Sequence, residues 1–188
     1  VQEILKFADT LDVPDVAHVL ERQIAYNTAI SQEGLKGGWG AEMGRTLLKL
    51  HGDSLPTKLR AAAAGSDARM NGCELPVVIV SGSGNQGMTA SLPVIEYAEA
   101  IGADHEALLR ALAVSDLITI HQKTGIGRLS AFCGATSAGC GAGLSGRCKG
   151  GGDRQNHRQY PGYLFRHGLR WCKVFLRGED RGGSGSRS

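Results

Sequence analysis

Leu75-Pro-Val-Val-Ile-Val80 runs directly into Ser81-Gly-Ser-Gly-Asn-Gln-Gly87. The first run is the most β-like of the chain, but a short apolar run fits either a strand or a buried helical segment. Gly82, Gly84 and Gly87 match G-x-G-x-x-G. Between a strand and a helix, that spacing is the dinucleotide-binding pattern, in which loop amides and a helix N-terminus cradle a pyrophosphate. The pattern also needs a second strand about thirty residues on, ending near an acidic residue. Residues 89 to 121 read instead as two helices. The stretch is therefore taken as the glycine loop of a mainly α protein, with a nucleotide-binding module as the alternative. Consecutive loop amides beside Ser81, Ser83, Asn85 and Gln86 hold a carboxylate as readily as a phosphate.

Downstream, Thr89 is placed to cap a helix carrying Leu92, Ile95, Tyr97, Ala98 and Ile101 as far as Gly102. Asp104 caps the next, which runs through Leu108, Leu109, Leu112, Leu117 and Ile120 to His121. A loop from Lys123 to Arg128 follows. Leu129 to Gly143 is rich in small residues and suits a tightly packed helix. Upstream, Ile4, Leu5, Phe7, Ala8 and Leu11 fit one face of a short helix. From Val13 to Leu35 the stripe is Val16, Val19, Leu20, Gln23, Ile24, Asn27 and Ile30, with Pro14 suited to the helix start. Gly37, Gly38 and Gly40 break that helix. Met43, Leu47, Leu48 and Leu50 restart the pattern, and alanine-rich Leu59 to Ala68 favours helix by propensity.

Of 188 residues, 41% are hydrophobic but only 5% aromatic, and 28 are glycine, which points to small side chains and close backbone approaches. No apolar run approaches roughly 18 residues and no secretory signal is seen, so a membrane span is not expected and a cytoplasmic, reducing setting is. The net charge of +3 hides a division at Gly146, with −4 before it and +7 after it. All 21 alanines lie at or before Ala142. The domains read accordingly as 1–146, helical, and 147–188, a basic and poorly ordered tail.

Cys133 and Cys140 lie seven residues apart, which on a helix places both sulfurs on one face. Two buried structural thiols are the plain alternative, and Cys73 is read that way. Thr124-Gly-Ile-Gly-Arg-Leu-Ser130 sets a guanidinium and two hydroxyls just ahead of Cys133, able to neutralise an anion or to cap a helix. His18, His51, His105 and His121 share no ligand spacing.

Ser81 to Gly87, together with Ser115-Asp-Leu-Ile-Thr-Ile-His-Gln-Lys-Thr-Gly-Ile-Gly-Arg-Leu-Ser-Ala-Phe-Cys-Gly-Ala135, resembles the iron-sulfur L-cysteine desulfidase family, which is related to the α chain of bacterial iron-sulfur L-serine dehydratases. The resemblance implies a helical catalytic domain with a 4Fe-4S cluster that leaves one iron open. It implies α,β-elimination of L-cysteine, or of L-serine in the related enzymes. Cys133 and Cys140 become the candidate cluster ligands. Ser81, Gly82, Ser83, Gly84, Asn85, Gln86, Thr124 and Arg128 become the candidates for gripping the substrate carboxylate. No α-proton base is assigned.

The chain departs from that family at both ends. Family members are longer and begin with a further segment bearing a cluster cysteine, and they continue in alanine-rich helices with a Cys-Asp-Gly-Ala-Lys motif. Codons exist for Arg166 to Lys173 whose bases, read one position later, spell that motif. A frameshift between Leu144 and Asp153 is therefore expected, and with it an incomplete domain and an inactive chain. Read at face value, the tail would be a nucleic-acid arm, with Tyr160, Tyr163, Phe165 and Trp171 to stack on bases. An out-of-frame origin explains its basicity without that function. Helix faces left without partners predict poor solubility or self-association.

Overall fold

The structure, a computed structural model, describes residues 2–54, 58 and 64–124. Its elements are α1 (Gln2–Thr10), α2 (Val13–Lys36), α3 (Met43–His51), α4 (Ala64–Met70), α5 (Gly84–Ile101) and α6 (His105–Thr124). The mainly α reading holds, and no strand occurs among the described residues. The proposed helix from Leu129 to Gly143, Arg128, Cys133, Cys140 and the whole tail lie outside the described residues.

Helices α2, α5 and α6 form the centre, with α1 lying on α6 and α4 on α2. Ile30, Met88, Leu92, Val94, Leu112, Val114 and Ile118 are buried there. Small residues let the backbones close up: a Cβ at Gly34 would sit 2.2 Å from the Ala64 carbonyl oxygen, and one at Gly65 would sit 2.8 Å from Met88 Sδ. The stripe expected on α2 is only partly the buried one. Leu20, Gln23, Asn27 and Ile30 face inward, but Val19 is exposed.

The caps explain most helix ends. Asp104 Oδ1 accepts from Ala107 N at 2.7 Å, as its sequence position suggests. Gly102, at φ +57°, closes α5 in the left-handed conformation. The start of α5 is a correction, because Ser83 and not Thr89 is its cap. Ser83 Oγ accepts from Gln86 N at 3.4 Å, and Thr89 Oγ1 donates back to the Asn85 carbonyl at 2.8 Å inside the helix. The helix therefore absorbs the second half of the glycine motif. Pro93 sits inside α5 and has no N–H for the Thr89 carbonyl. In the same turn, Ser115 Oγ donates to the Ala90 carbonyl at 2.7 Å.

Leu75–Val80 is neither a helix nor part of a sheet. Its one β feature among the described residues is an isolated bridge between Val80 and Ser83. Asn27, fully buried, stands in for a neighbouring strand: its Oδ1 accepts from Val78 N at 2.9 Å and its Nδ2 donates to the Val78 carbonyl at 3.2 Å. The same Nδ2 reaches Ser91 Oγ at 3.0 Å. One side-chain amide thus ties the extended segment to both α2 and α5. Without a parallel sheet, the dinucleotide-binding alternative loses its framework among the described residues.

Candidate functional site

The glycine loop is built by its own residues. Ser81 adopts φ +52° and Gly82 φ +88°, a left-handed pair that turns the chain back on itself. Ser83 and Val80 exchange backbone hydrogen bonds at 3.3 Å, closing the turn. Gly87 is needed for a different reason: a Cβ there would lie 2.1 Å from the Val78 carbonyl oxygen, so only glycine lets α5 press against the extended segment. The motif spacing therefore serves a turn and a close approach, as in a dinucleotide-binding loop, but against a lone extended segment.

Of the four N–H groups at the start of α5, Ser83 N is held by Val80 and Gln86 N by the Ser83 hydroxyl. The amides of Gly84 and Asn85 have no hydrogen-bond partner among the described residues. They point out of the N-terminus of an 18-residue helix, where the backbone dipoles favour an anion.

Two cations meet this loop. Lys123, in the last turn of α6, is only 2% exposed. Its Nζ donates to the Ser81 carbonyl at 3.1 Å and to Gln86 Oε1 at 2.6 Å. Arg69, at the end of α4, donates through Nη1 to Asn85 Oδ1 at 3.1 Å on the exposed rim. Neither residue stands out in the sequence. Lys123 reads there as the first residue of a loop, and Arg69 lies in a polar stretch before Gly72. The signal for Lys123 is its spacing: Ser115, Thr119 and Lys123 fall four residues apart on one helix face, and all three are buried.

The structure thus brings together Ser81, Gly82, Ser83, Gly84, Asn85 and Gln86 and adds Lys123 and Arg69. Thr124 is exposed, and its hydroxyl donates back to the His121 carbonyl at the end of α6. Arg128, Cys133 and Cys140 lie outside the described residues.

Among the described residues no three His, Cys, Asp or Glu side chains come together as a metal site. The one described cysteine, Cys73, packs against the hydrophobic core, in keeping with a structural thiol. The described residues thus do not make a seat for an iron-sulfur cluster. No helix among them is long and apolar enough to cross a membrane.

The family model described as serine dehydratase alpha chain matches residues 2–156. The UPF0597 protein of Desulfitobacterium hafniense (strain Y51) is 60% identical over 144 residues, which cover 76% of this chain and 34% of that protein. The UPF0597 protein of Lachnoclostridium phytofermentans is 54% identical over 160 residues, covering 85% and 38%. UPF0597 protein YhaM of Escherichia coli O1:K1 / APEC is 46% identical over 147 residues, covering 74% and 33%. The chain spans roughly a third of the length of these curated relatives. No solved structure matches it. With the whole described helical region inside the matched residues, the chain belongs to the serine dehydratase alpha chain family.

Proposed function

We propose that this chain carries the carboxylate-binding part of a cytoplasmic L-cysteine desulfidase, a lyase that converts L-cysteine to pyruvate, ammonia and sulfide, with L-serine as the related substrate. The observation that supports this reading above all others is the burial of the Lys123 ammonium against Ser81 and Gln86 of the glycine loop. A buried cation beside helix-start amides favours a small anion and disfavours a neutral ligand. The α-carboxylate of an amino acid suits it in size and charge. Gly84 and Asn85 offer N–H groups, Lys123 offers charge from the core side, and Arg69 closes the rim. Thr124 and Arg128 are proposed to extend this grip, and Cys133 and Cys140 to supply thiolates to a 4Fe-4S cluster.

In the reaction, cysteine loses its α-proton to a base and its β-sulfur as hydrosulfide, leaving aminoacrylate. The imine tautomer of aminoacrylate takes up water and gives pyruvate and ammonia. The carboxylate is unchanged throughout, so its anchors bind substrate and intermediate alike, and their loss weakens binding more than it slows chemistry.

Calorimetric titration of the chain with L-cysteine, L-serine and pyruvate is expected to show binding that Lys123→Met weakens about tenfold or more. Cysteamine, which lacks the carboxylate, is expected not to bind. Equal affinities for the wild-type and Lys123→Met proteins, with helical circular dichroism intact, would remove the loop as the carboxylate site. Anaerobic reconstitution with iron and sulfide, expected to give a cluster absorption band that Cys133→Ala weakens, tests the proposed thiolates.

A further inference from the structure

The glycine loop joins two arms, the segment ending at Val80 and the first turns of α5, and two buried side chains bridge them from different helices. At the mouth, Lys123 of α6 donates to the Ser81 carbonyl at 3.1 Å and to Gln86 Oε1 at 2.6 Å, one acceptor on either side of the turn. At the base, Asn27 of α2 accepts from Val78 N at 2.9 Å and donates to the Val78 carbonyl at 3.2 Å. Its Nδ2 also reaches Ser91 Oγ on α5 at 3.0 Å, and that hydroxyl donates to the Gly87 carbonyl at 2.8 Å. The arms touch at this level, where a Cβ on Gly87 would lie 2.1 Å from the Val78 carbonyl oxygen. Asn27 and Ser91 are both 0% exposed, so water has no ready access to replace these bonds. A side-chain amide is the neutral group that sets an acceptor and a donor side by side, as the N–H and C=O of one residue require.

We propose that Asn27 is a positioning residue for the glycine loop. By fixing the two arms at their base, it sets the separation of the Ser81 carbonyl from Gln86 Oε1 and so keeps the Lys123 ammonium in its buried seat. Asn27 acts through Val78 and Ser91. Without its amide the N–H and carbonyl of Val78 lose the partner that ties them to α2, the segment shifts along α5, and the acceptors of Lys123 move apart. The consequence for L-cysteine rests on the carboxylate reading of this loop, whereas the seating of Lys123 does not.

The test is competitive acylation of the full 188-residue chain with an amine-reactive ester, with labelling of Lys123 read by peptide mass spectrometry against Lys36, whose side chain is 72% exposed. In the wild type Lys123, only 2% exposed, is expected to be protected. Asn27→Leu, close to asparagine in size but without polar atoms, is expected to raise that labelling about tenfold and to weaken L-cysteine binding by about as much. Arg110→Met instead loosens the hold of α6 on the Ala8 and Leu11 carbonyls, and is expected to change neither quantity. That variant separates loss of position from loss of stability. Asn27→Asp keeps an acceptor for Val78 N but donates to the Val78 carbonyl only while its new carboxyl is protonated. Its excess labelling over the wild type is therefore expected to be greater at about pH 9 than at about pH 6. Circular dichroism checks that each variant folds, and if Asn27→Leu does not, Asn27→Asp decides. Protection of Lys123 that is equal in the wild type and the folded Asn27 variants overturns the proposal, as does labelling that rises as much in Arg110→Met. Should Asn27→Leu alone uncover Lys123 while L-cysteine binding is absent from the wild type or unchanged in the variant, the positioning role stands and the carboxylate reading falls.

Discussion

Asp116 of α6 has the Gln23 amide of α2 as its hydrogen-bond partner, with Nε2 donating to Oδ1 at 3.2 Å. Burial pushes its carboxyl up to about 7, and the Gln23 hydrogen bond offsets only part of that. Gln23 is itself 1% exposed, and its Oε1 has no partner among the described residues. A half-turn of the amide would let a protonated Asp116 donate to that oxygen, so the neutral acid suits the site better than the carboxylate. The sign follows from the raised value. Below about pH 4 the group is protonated whether the chain is folded or not. From there up to about pH 7 the folded chain keeps a proton that the unfolded chain has lost, so stability falls as pH rises through this window and levels off above it. Thermal melts are expected to show a lower midpoint at about pH 8 than at about pH 5, and Asp116→Asn is expected to flatten this slope and raise the midpoint at the higher pH. A slope unchanged by Asp116→Asn would show that the carboxyl already titrates in the ordinary range. At this scale the sequence was half legible. Gln23 and Asn27 fall on the inward stripe of α2, but nothing in a linear pattern says that one faces a carboxyl and the other a backbone. Lys123 was hidden for a related reason, since a lysine at the edge of a helical pattern usually reaches water, and only the fold shows the Ser81 carbonyl waiting for it.

Arg110 fixes one helix to another. Its Nη1 donates to the carbonyls of Ala8 at 2.6 Å and Leu11 at 3.0 Å, at the C-terminal end of α1. Glu106, one turn back on α6, holds the guanidinium in place through Nε and Nη2. A cation at that end also suits the dipole of α1. Helix α1 is short, with Ala8 its one buried residue, so it depends on this clamp and on Leu11 more than on its own propensity. Arg110→Met is expected to cost roughly 1.5–3 kcal/mol, the range for hydrogen bonds made by a charged group. Far-UV circular dichroism and urea melts would register the loss. Unchanged stability would mean that α1 is held by apolar contact alone. Among the elements, α2 and α6 were legible because long apolar stripes bounded by Pro14, Asp104 and the glycines leave little choice. The start of α5 was not, because Ser83 lies inside a motif normally read as loop, and a cap is recognised by geometry more than by residue type. The fate of Leu75–Val80 was out of reach of any pattern, since its partner is a single asparagine far away in sequence.

Across the described residues the burial is uneven, and that sets an order of opening. Helices α5 and α6 each bury a run of apolar and hydrogen-bonded polar side chains, whereas α3 buries only Gly44. Met43 and Leu50 of α3 are exposed, and its N-terminus is held mainly by Asp67 Oδ2, which accepts from Met43 N at 2.9 Å. Little apolar surface is lost to water when α3 detaches, so its opening should cost far less than global unfolding. The glycine loop lies at the opposite extreme. It is anchored by Lys123 from α6, by the Ser83 cap of α5 and, through Val78, by Asn27 of α2, so it can open only with the core. Native-state hydrogen exchange is therefore expected to release the amides of residues 43–51 first and those of Gln86 to Ala98 last, the latter near the global limit. Limited proteolysis is expected to cut first between Gly37 and Gly52. Should the amides of α3 exchange as slowly as those of α5, the molecule would be a single cooperative unit. A carboxylate held at the loop would then stabilise α3 as much as α5, whereas an uneven order of opening confines that ligand's protection to α2, α5 and α6.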